Sequence, residues 1–519
     1  MLAKTLCYAL VGVSGVPIDV QAYVSGGNQF QFTMVGLPDT AVKESRDRVV
    51  AAIKNSGFAM PYGHTTVNLS PADVKKEGTV FDLSIAVAII QATKQIKAYD
   101  LQDTLILGEL ALDGSLVPVQ GVLPLVISAK ERGIQKVLLP YMNAPEVEAV
   151  MGMQVYPAKN LYEAMQHLSG KAPILAQVQK TYEECLQKQQ EQAYDLSRVR
   201  GQQQAKRALE VAAAGGHNIL FVGVPGSGKT MLARCLPGIL PQMTQEEAFE
   251  TTRIYSAAGM LAPGTGLMTV RPFRAPHHTA SAAALIGGGI NAKPGEVSLA
   301  HNGVLFLDEM PEYPRRVLEA LRQPLEDGYA NVSRVRAHAK YLSRCMLVAS
   351  MNPCPCGYYG SRTRACRCGS RDIRKYLDRI SGPLLDRIDM QIEVDAVPVE
   401  ELSTKATGET SAEVRVRVEK ARKMQLERFQ NTNIYCNAQM NNKHIEQYAN
   451  VSDEAMRFLH KAIKKFALSM RAYGRIIKLA RTVADLKGKP NIELADMAEA
   501  VQFRIIDSKY WGAGDDITR

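Results

Sequence analysis

The chain has 519 residues, a length that predicts about three domains of ordinary size. Hydrophobic residues make up 46% of it, which is typical of globular proteins that bury sizeable cores. The net charge of +10 favours a polyanionic partner, above all nucleic acid, over a basic one.

The N-terminal residues 2–20 are fairly apolar and contain one lysine, as a signal peptide would. Gly12, Gly15 and Pro17 interrupt this run, and the alternation from Ile18 onward is typical of a strand, so a signal peptide is disfavoured. The longest apolar run elsewhere, residues 83–90, is far too short to span a bilayer. We therefore expect a cytoplasmic protein without a membrane partner.

The first 170 residues alternate strand-like runs with helical patterns, which predicts an α/β domain. The predicted strands are residues 18–24, 29–35, 65–69, 105–112 and 136–139, and the predicted helices are 39–56, 82–91 and 121–132.

Within this domain, residues 108–121 and 133–140 resemble the proteolytic domain of Lon. Lon-type proteases need a nucleophilic serine that is activated by a lysine. Here residues 79–81 (Thr-Val-Phe) stand where the serine is expected, Leu123 stands near the lysine position, and Ser84 lies in an apolar helix. The resemblance therefore implies a Lon-type fold without the catalytic pair, and peptidase activity is disfavoured.

Residues 218–230 carry the clearest chemical motif, a buried strand that runs into a Gly-x-x-x-x-Gly-Lys-Thr loop and a helix. The loop glycines let successive backbone N–H groups point inward, and the helix N-terminus completes a cradle for phosphates. We expect Lys229 to reach the β- and γ-phosphates of ATP and Thr230 to supply a hydroxyl ligand to Mg²⁺. The predicted nucleotide-binding residues are Gly223, Pro225, Gly226, Ser227, Gly228, Lys229, Thr230 and Asp308.

A second motif, residues 304–309, consists of four apolar residues followed by Asp308 and Glu309. Asp308 is expected to hold Mg²⁺, and Glu309 to orient and polarise the attacking water, because phosphoryl transfer depends mainly on positioning. A strand with an acidic exit would explain this motif alone, but together with the phosphate loop it predicts ATP hydrolysis.

These motifs resemble those of AAA+ ATPases, and the resemblance assigns roles to three further residues. Asn352, after the predicted strand 345–350, matches the residue that senses the γ-phosphate. Arg387 matches the finger that reaches a neighbour's nucleotide, and Arg471 matches a lid arginine that reaches back to the γ-phosphate. A surface ion pair is the alternative for each arginine.

Five stretches (35–39, 67–73, 274–278, 351–357 and 381–389) together resemble the ComM family of magnesium-chelatase-like AAA+ proteins, also called YifB, and the likeness covers nearly the whole chain. The resemblance implies a homo-hexameric, ATP- and Mg²⁺-dependent DNA helicase that promotes branch migration in homologous recombination during natural transformation. Its implied partners are single-stranded and branched DNA, and recombination proteins.

Two segments are candidates for DNA contact in the pore of such a ring. Residues 253–303 exceed what a minimal motor needs, and their glycines and prolines predict flexible hairpins. Residues 331–341 alternate like a β-hairpin, on which Arg334, Arg336 and Lys340 could follow a phosphate backbone. A solvated charged face is an equally weighted alternative. For His277 and His278, DNA contact or structural hydrogen bonding is favoured over metal binding.

Four of the nine cysteines are close together, which in a reducing cytosol indicates metal binding. Cys354, Cys356, Cys366 and Cys368 could complete a tetrahedral Zn²⁺ shell that folds a short loop. The C-x-C pairs are tighter than the usual zinc knuckle, so an iron–sulfur cluster or free thiols remain alternatives. The loop also carries Tyr358, Tyr359, Arg362, Arg364 and Arg367, which suit base stacking and phosphate contact.

The predicted architecture is a Lon-protease-like α/β domain followed by an AAA+ core with a helical lid. The predicted divisions are residues 1–170 (front domain), 171–195 (linker), 196–395 (ATPase core, with the cysteine loop at 351–370), 396–407 (connector), 408–507 (lid) and 508–519 (tail). Two alternatives to a DNA motor stay open. They are an ATP-driven chaperone for metal insertion, as in magnesium chelatase, and a non-translocating, ATP-switched DNA scaffold.

Overall fold

The computed structural model describes all residues except 28, 97–100, 102, 187–193, 290–291, 335–336, 362–363, 397–407, 467–468 and 512–519. The chain forms two compact units. The first comprises Met1–Gln187, Thr244–Thr269 and Ala337–Tyr341, and the second comprises Lys188–Met243, Val270–Arg336 and Leu342–Arg519.

The strands are, in chain order, β1 (Leu2–Val11), β2 (Ser14–Ser25), β3 (Gln31–Val35), β4 (His64–Ser70), β5 (Thr104–Ile106), β6 (Glu109–Leu110), β7 (Leu116–Val117), β8 (Lys136–Pro140), β9 (Gln154–Ala158), β10 (Ile219–Gly223), β11 (Phe273–Arg274), β12 (Gly287–Gly288), β13 (Lys293–Pro294), β14 (Val304–Leu307), β15 (Tyr329–Arg334), β16 (Ala337–Leu342), β17 (Met346–Met351) and β18 (Met390–Val394).

The α-helices are α1 (Thr40–Asn55), α2 (Asp82–Ala92), α3 (Val122–Glu131), α4 (Leu161–Leu168), α5 (Tyr182–Cys185), α6 (Gln203–Gly215), α7 (Lys229–Ile239), α8 (Gln245–Ala258), α9 (Ala282–Ile286), α10 (Glu296–Leu299), α11 (Arg315–Ala320), α12 (Arg322–Asp327), α13 (Ser370–Leu377), α14 (Gly382–Leu385), α15 (Ser411–Arg428), α16 (Asn442–Tyr448), α17 (Asp453–Phe466), α18 (Met470–Leu486), α19 (Leu494–Gln502) and α20 (Ile506–Trp511).

The first unit is built on a seven-stranded mixed sheet in the order β3-β4-β2-β1-β5-β8-β9. Helix α2 is buried on nearly all sides, because ten of its eleven residues lie in the core, as its continuous apolar sequence predicts. Ser84 is fully buried in this helix, and its hydroxyl contacts that of Thr5 at 2.9 Å. Leu123 is also fully buried. The positions compared with the Lon catalytic pair thus hold an inaccessible serine, Ser84, and a residue that is not a base, Leu123.

Helix α8 belongs to the first unit, although it follows the phosphate loop in the sequence. It packs against α3, and Ser256 donates a hydrogen bond to the buried carboxylate of Glu146. Burial raises the pKa of Glu146, while the hydrogen bonds from Ser256 and the amide of Leu123 oppose that rise. The predicted insert 253–303 is therefore divided, since its residues up to Thr269 belong to the first unit.

The second unit is organised around a parallel five-stranded sheet in the order β11-β14-β17-β10-β18. Strands β10, β14 and β17 are entirely buried, as their runs of apolar residues predict. The carboxyl ends of parallel strands meet at one edge of a sheet, and ligands of α/β proteins bind there. The loop after β10, the pair Asp308-Glu309 after β14, and Asn352 after β17 are thus brought together.

The helices α15, α17, α18 and α19 lie within the range predicted for the lid, residues 408–507. Basic residues of α15 fix this helix to the core. Arg417 pairs with Glu210 at 2.5 Å, and Arg422 donates to the carbonyl oxygens of Ala213 and Ala214 at the end of α6. Cationic groups are stabilised at helix C-termini, where carbonyl groups lack intrahelical partners.

Two further differences from the predictions concern the chain ends. The N-terminal apolar run forms β1, which pairs antiparallel with β2. Residues 508–511, predicted to belong to a tail, form the end of α20, where Lys509 pairs with Glu393 at 2.6 Å. Over the described residues, no helix combines the length and the apolar character needed to cross a membrane.

Candidate functional site

The phosphate loop has the backbone conformation of an anion cradle. Gly226 and Gly228 have φ values of +78° and +92°, and a Cβ at either position would point into open space. The Ser227 hydroxyl is buried and has no hydrogen-bond partner among the described residues, which fits a site where an oxygen of a ligand would meet it. Gly223 is required for a different reason, since a Cβ there would lie 2.2 Å from the carbonyl oxygen of Val394.

Lys229 begins α7 and turns its ammonium group back into the cradle. Its Nζ donates to the carbonyl oxygens of Gly223 and Val224 at 2.8 and 2.9 Å, and to Oδ1 of Asn352 at 3.2 Å. Burial lowers the pKa of Lys229 to about 8, although the carboxylates of Asp308 and Glu309 oppose the shift. A bound polyphosphate would restore the full positive charge.

The two carboxylates after β14 occupy different environments. Thr230 Oγ1 donates to Oδ2 of Asp308 at 2.9 Å, and Ser350 Oγ donates to Oδ1 of the same residue. Glu309 is exposed, and its φ of +50° lies in the left-handed region, which a non-glycine residue adopts at a cost of about 1–3 kcal/mol. Sequence reasoning missed Ser350, the polar residue near the end of the otherwise apolar β17.

The two predicted arginines lie close to each other. Arg387 donates to the carbonyl oxygens of Arg322 and Pro383 at 3.1 and 2.7 Å and pairs with Glu326. Arg471 pairs with Asp386, the residue before Arg387, at 2.7 Å, and its side chain is 67% exposed. Both therefore make ion pairs, which the sequence analysis gave as the alternative for each arginine.

Asn218, which precedes β10, is a positioning residue that the sequence did not reveal. Its side chain donates to the carbonyl oxygen of Arg387 at 2.8 Å and accepts from the amide of Leu347 at 2.7 Å. Its backbone amide donates to Asp389, whose carboxylate lies 3.5 Å from the ring of buried His217. This network ties the Arg387 segment to the start of β17.

The four cysteines are arranged as the ligands of one metal ion. Their Sγ atoms all lie within 4.8 Å of one another, and three of the pairs are 3.4, 3.6 and 3.7 Å apart. A tetrahedral zinc site with Zn–S bonds of about 2.3 Å has Sγ–Sγ distances of about 3.8 Å. The amide of Arg367 lowers the pKa of Cys356 to about 6, which favours the thiolate that a metal needs, whereas burial raises the pKa of Cys354 and of Cys368. Within the described part of the chain, no other group of histidine, cysteine and acidic residues has this geometry.

The residues predicted to contact DNA are only partly described. Arg336 and Arg362 lie outside the described residues, and Arg334 is described only as the last residue of β15. Strands β15 and β16 occupy the segment predicted to be a hairpin, and Lys340 on β16 is exposed. In the cysteine loop, Arg364 lies 4.6 Å above the ring of Tyr358, whereas Tyr359 packs edge-on against Tyr510.

His277 and His278 lie close together, with ring centroids 4.1 Å apart. His277 Nδ1 lies 2.9 Å from the hydroxyl of Thr279, which agrees with structural hydrogen bonding. Nearby Arg274 is paired with Glu296 at 2.6 Å.

Helix α17 carries a cationic face that the sequence reasoning did not single out. Arg457, Lys461, Lys464 and Lys465 are all exposed, and no ion pair joins them to another residue that the structure describes. Their spacing of three to four residues could have identified this face.

Comparisons with known proteins agree with this geometry. Residues 195–402 match the family described as magnesium chelatase, subunit ChlI, residues 20–143 match subunit ChlI of Mg-chelatase, and residues 408–504 match the ChlI C-terminal family. The fold and the site thus define a magnesium-chelatase-like AAA+ protein, a class that implies ATPase activity.

The chain is 44% identical over 507 residues to Competence protein ComM of Haemophilus influenzae, with 97% of each chain covered. It is 43% identical over 501 residues to YifB of Escherichia coli, with 96% of each covered. The chain therefore belongs to the ComM (YifB) family. It is also 31% identical over 136 residues to the Lon protease of Roseiflexus castenholzii, across 25% of this chain and 16% of that protein, which supports the Lon-like fold.

Proposed function

We propose that the chain is an ATP-driven DNA translocase that works as a hexameric ring and promotes branch migration during natural transformation. The group around Lys229 carries the proposal, because a cationic side chain, a hydroxyl, two carboxylates and an amide converge on one phosphate cradle. Membership of the family that includes Competence protein ComM supports the connection with DNA uptake.

In the proposed reaction, Lys229 exchanges its backbone carbonyl partners for oxygens of the triphosphate. Thr230 and Asp308 would hold Mg²⁺, which when bound spreads the charge that develops on the phosphate oxygens. Glu309 orients the attacking water and accepts its proton. Asn352 moves its amide oxygen away from Lys229 when a γ-phosphate is present, so it can report the state of the nucleotide.

We propose that Arg387 serves the nucleotide of a neighbouring subunit, and that Arg471 is a lid arginine that reaches back to a γ-phosphate. The ion pair with Glu326 and the bonds to Arg322 and Pro383 would hold the Arg387 guanidinium until a partner's phosphate displaces them. A finger supplied in trans increases turnover by on the order of 10³–10⁵. Turnover should therefore depend on protein concentration.

Replacement of the Glu309 carboxylate by an amide tests whether this residue orients and activates the attacking water. Glu309→Gln keeps the size of the side chain and removes its basicity, so ATP binding should persist while hydrolysis falls below about 1%. Nucleotide affinity and phosphate release are measured on the same preparation, with Lys229→Ala as the variant that loses binding. Normal turnover in Glu309→Gln would remove this residue from the mechanism.

We further propose that the four cysteines bind one structural Zn²⁺ ion per chain. The Sγ–Sγ distances of 3.4 to 3.7 Å support a tetrahedral site over free thiols scattered on a loop. Elemental analysis should find about one zinc per chain and none in Cys354→Ser. A folded, metal-free wild-type protein, or an iron–sulfur absorption spectrum, would contradict the proposal.

We also propose that the cationic face of α17 (Arg457, Lys461, Lys464 and Lys465) contacts DNA, in addition to the predicted pore segments. The variant Lys461→Gln/Lys464→Gln should reduce the slope of log affinity against log salt by up to about 1.8, since each phosphate contact contributes about 0.9. Its matched control is Lys420→Gln/Lys423→Gln, which removes the same charge from exposed positions of α15. Equal slopes in the two variants would leave α17 as a solvated face.

The family description also supports a second candidate, a motor that drives metal insertion together with a separate chelatase subunit. Branched DNA separates the two functions. A DNA motor should hydrolyse ATP faster with branched DNA and convert it to products, whereas a chelatase motor should ignore it. Tight binding without strand movement would instead favour an ATP-switched scaffold.

A further inference from the structure

The loop that carries the cysteines (residues 353–361 and 364–369, the cysteine loop) lies directly against the phosphate loop. A Cβ built on Gly357 would lie 2.6 Å from both Cγ and Cδ of Pro225, so the ring of Pro225 packs directly against the backbone of Gly357. This is closer than real Cβ contacts, and only glycine permits it. Gly357 also has a φ of +85°, which favours glycine independently.

The cysteine loop also begins at the residue that contacts Lys229. Asn352 accepts from Lys229 Nζ, and buried Cys354 follows two residues later. The amide of Gly357 donates to the carbonyl oxygen of Cys354, and the amide of Tyr359 donates to its Sγ. The position of Cys354, the first of the four cysteines, therefore influences where Asn352 and Gly357 lie.

The other end of the cysteine loop returns to the same place. Helix α13 follows Cys368, and its buried Tyr376 lies near the backbone amide of Asn352. Asn352 thus lies between Lys229, which donates to its side chain, and Tyr376 of α13. A metal ion that joins Cys354 and Cys356 to Cys366 and Cys368 would close this arrangement into one rigid body.

We infer that the metal-bound cysteine loop is a structural part of the nucleotide site, which holds Pro225 and Asn352 in the positions that bind a nucleoside triphosphate. Loss of the metal should weaken nucleotide binding before it unfolds the chain. This inference deepens the proposed function and rests on it, because it concerns the same ATP site. It differs from a purely local role of the metal, in which nucleotide affinity would be independent of zinc.

Two glycines of the cysteine loop provide a matched test in the full-length protein. Gly357→Ala forces a methyl group onto Pro225, whereas Gly360→Ala adds the same group at a similar φ of +75°, where nothing lies within 4 Å. The affinity for a fluorescent ATP analogue should fall about tenfold in Gly357→Ala and stay within about twofold of wild type in Gly360→Ala. Both variants should keep one zinc per chain.

A double variant tests the contact itself. Pro225→Ala removes the Cγ and Cδ atoms that a Cβ at position 357 would meet, so Gly357→Ala should cost less in that background than in wild type. Removal of zinc from the wild-type protein by a chelator should also lower the affinity about tenfold, and added Zn²⁺ should restore it.

The inference would be overturned if Gly357→Ala and the zinc-free wild-type protein bound the ATP analogue as tightly as the zinc-loaded wild-type protein and Gly360→Ala do. That result would leave the proposed ATP binding intact. Should Gly357→Ala fail to fold, the zinc-free wild-type protein decides the question alone. A wild-type protein that binds no ATP analogue with its zinc in place would refute the proposed function itself.

Discussion

Substitution of Ser350 by alanine tests how the site orients the carboxylate of Asp308, which we propose to bind Mg²⁺. The Ser350 hydroxyl is 1% exposed, donates to Oδ1 of Asp308 and accepts from the amide of Glu309 at 3.3 Å. Its removal leaves Asp308 with two donors, the hydroxyl of Thr230 and the amide of Glu309, which donates to Oδ1 at 3.2 Å. A hydrogen bond to a charged group contributes about 1.5–3 kcal/mol, so processes that need this orientation should weaken by about 10- to 150-fold.

The assay is ATP hydrolysis at saturating nucleotide over a range of Mg²⁺ concentrations. Ser350→Ala should raise the Mg²⁺ concentration that gives half-maximal hydrolysis. The increase should be near the lower end of the roughly 10- to 150-fold range, because two donors to Asp308 remain. Nucleotide affinity measured without Mg²⁺ should not change. Ser343→Ala is the control, since its hydroxyl is equally buried and has no hydrogen-bond partner among the described residues. Identical Mg²⁺ midpoints in the two variants would refute the positioning role of Ser350.

Three further predictions concern the charge of Lys229, the attachment of the lid through Arg417, and the support of Arg387 by Asn218. Since burial lowers the pKa of Lys229 to about 8, its ammonium group loses its proton as the pH rises through that value, so ATP affinity should fall between about pH 7 and pH 9. Calorimetry at about pH 8.5 in two buffers should show proton uptake on binding, and its absence would contradict the depressed pKa. Arg417→Ala leaves Glu210 with Arg207 alone and should lower the free energy of unfolding by about 1 kcal/mol, which a thermal melt detects as a shift of a few degrees. Lys420→Ala on the exposed face of the same helix should leave the melting temperature unchanged. Asn218→Ala removes the support of the Arg387 carbonyl, so turnover should fall while the affinity for ATP is kept, and a parallel loss of both would indicate general unfolding of the sheet edge.

Much of the fold could be predicted because local patterns and tertiary structure agree in this chain. The continuous apolar runs of β10, β14 and β17 indicate strands buried on both faces, and all three are found there. The helix predicted over residues 39–56 is found as α1, and Asp39 is its N-cap, whose side chain accepts from the amide of Val42.

The partners of charged side chains could not be predicted in the same way. The basic residues of α15 and α17 have similar helical spacing, yet Arg417 and Arg422 of α15 fasten the lid to the core, whereas Lys461 and Lys464 of α17 point to solvent. The difference arises because the partners of Arg417 and Arg422 are Glu210 and the carbonyl groups at the end of α6. These partners lie about 200 residues earlier in the chain, so local spacing does not reveal them.

The sequence by itself determined the strand–loop–helix at Lys229, the carboxylates after β14 and the cysteine pattern, since each depends on residues that are close in the chain. Only the tertiary structure decided that Ser350 supports Asp308, that Arg471 lies beside Arg387, and that Gly357 touches Pro225. The physical reason is that a parallel sheet brings the ends of distant strands to one edge. The contacts made there depend on strand order and register rather than on any local pattern.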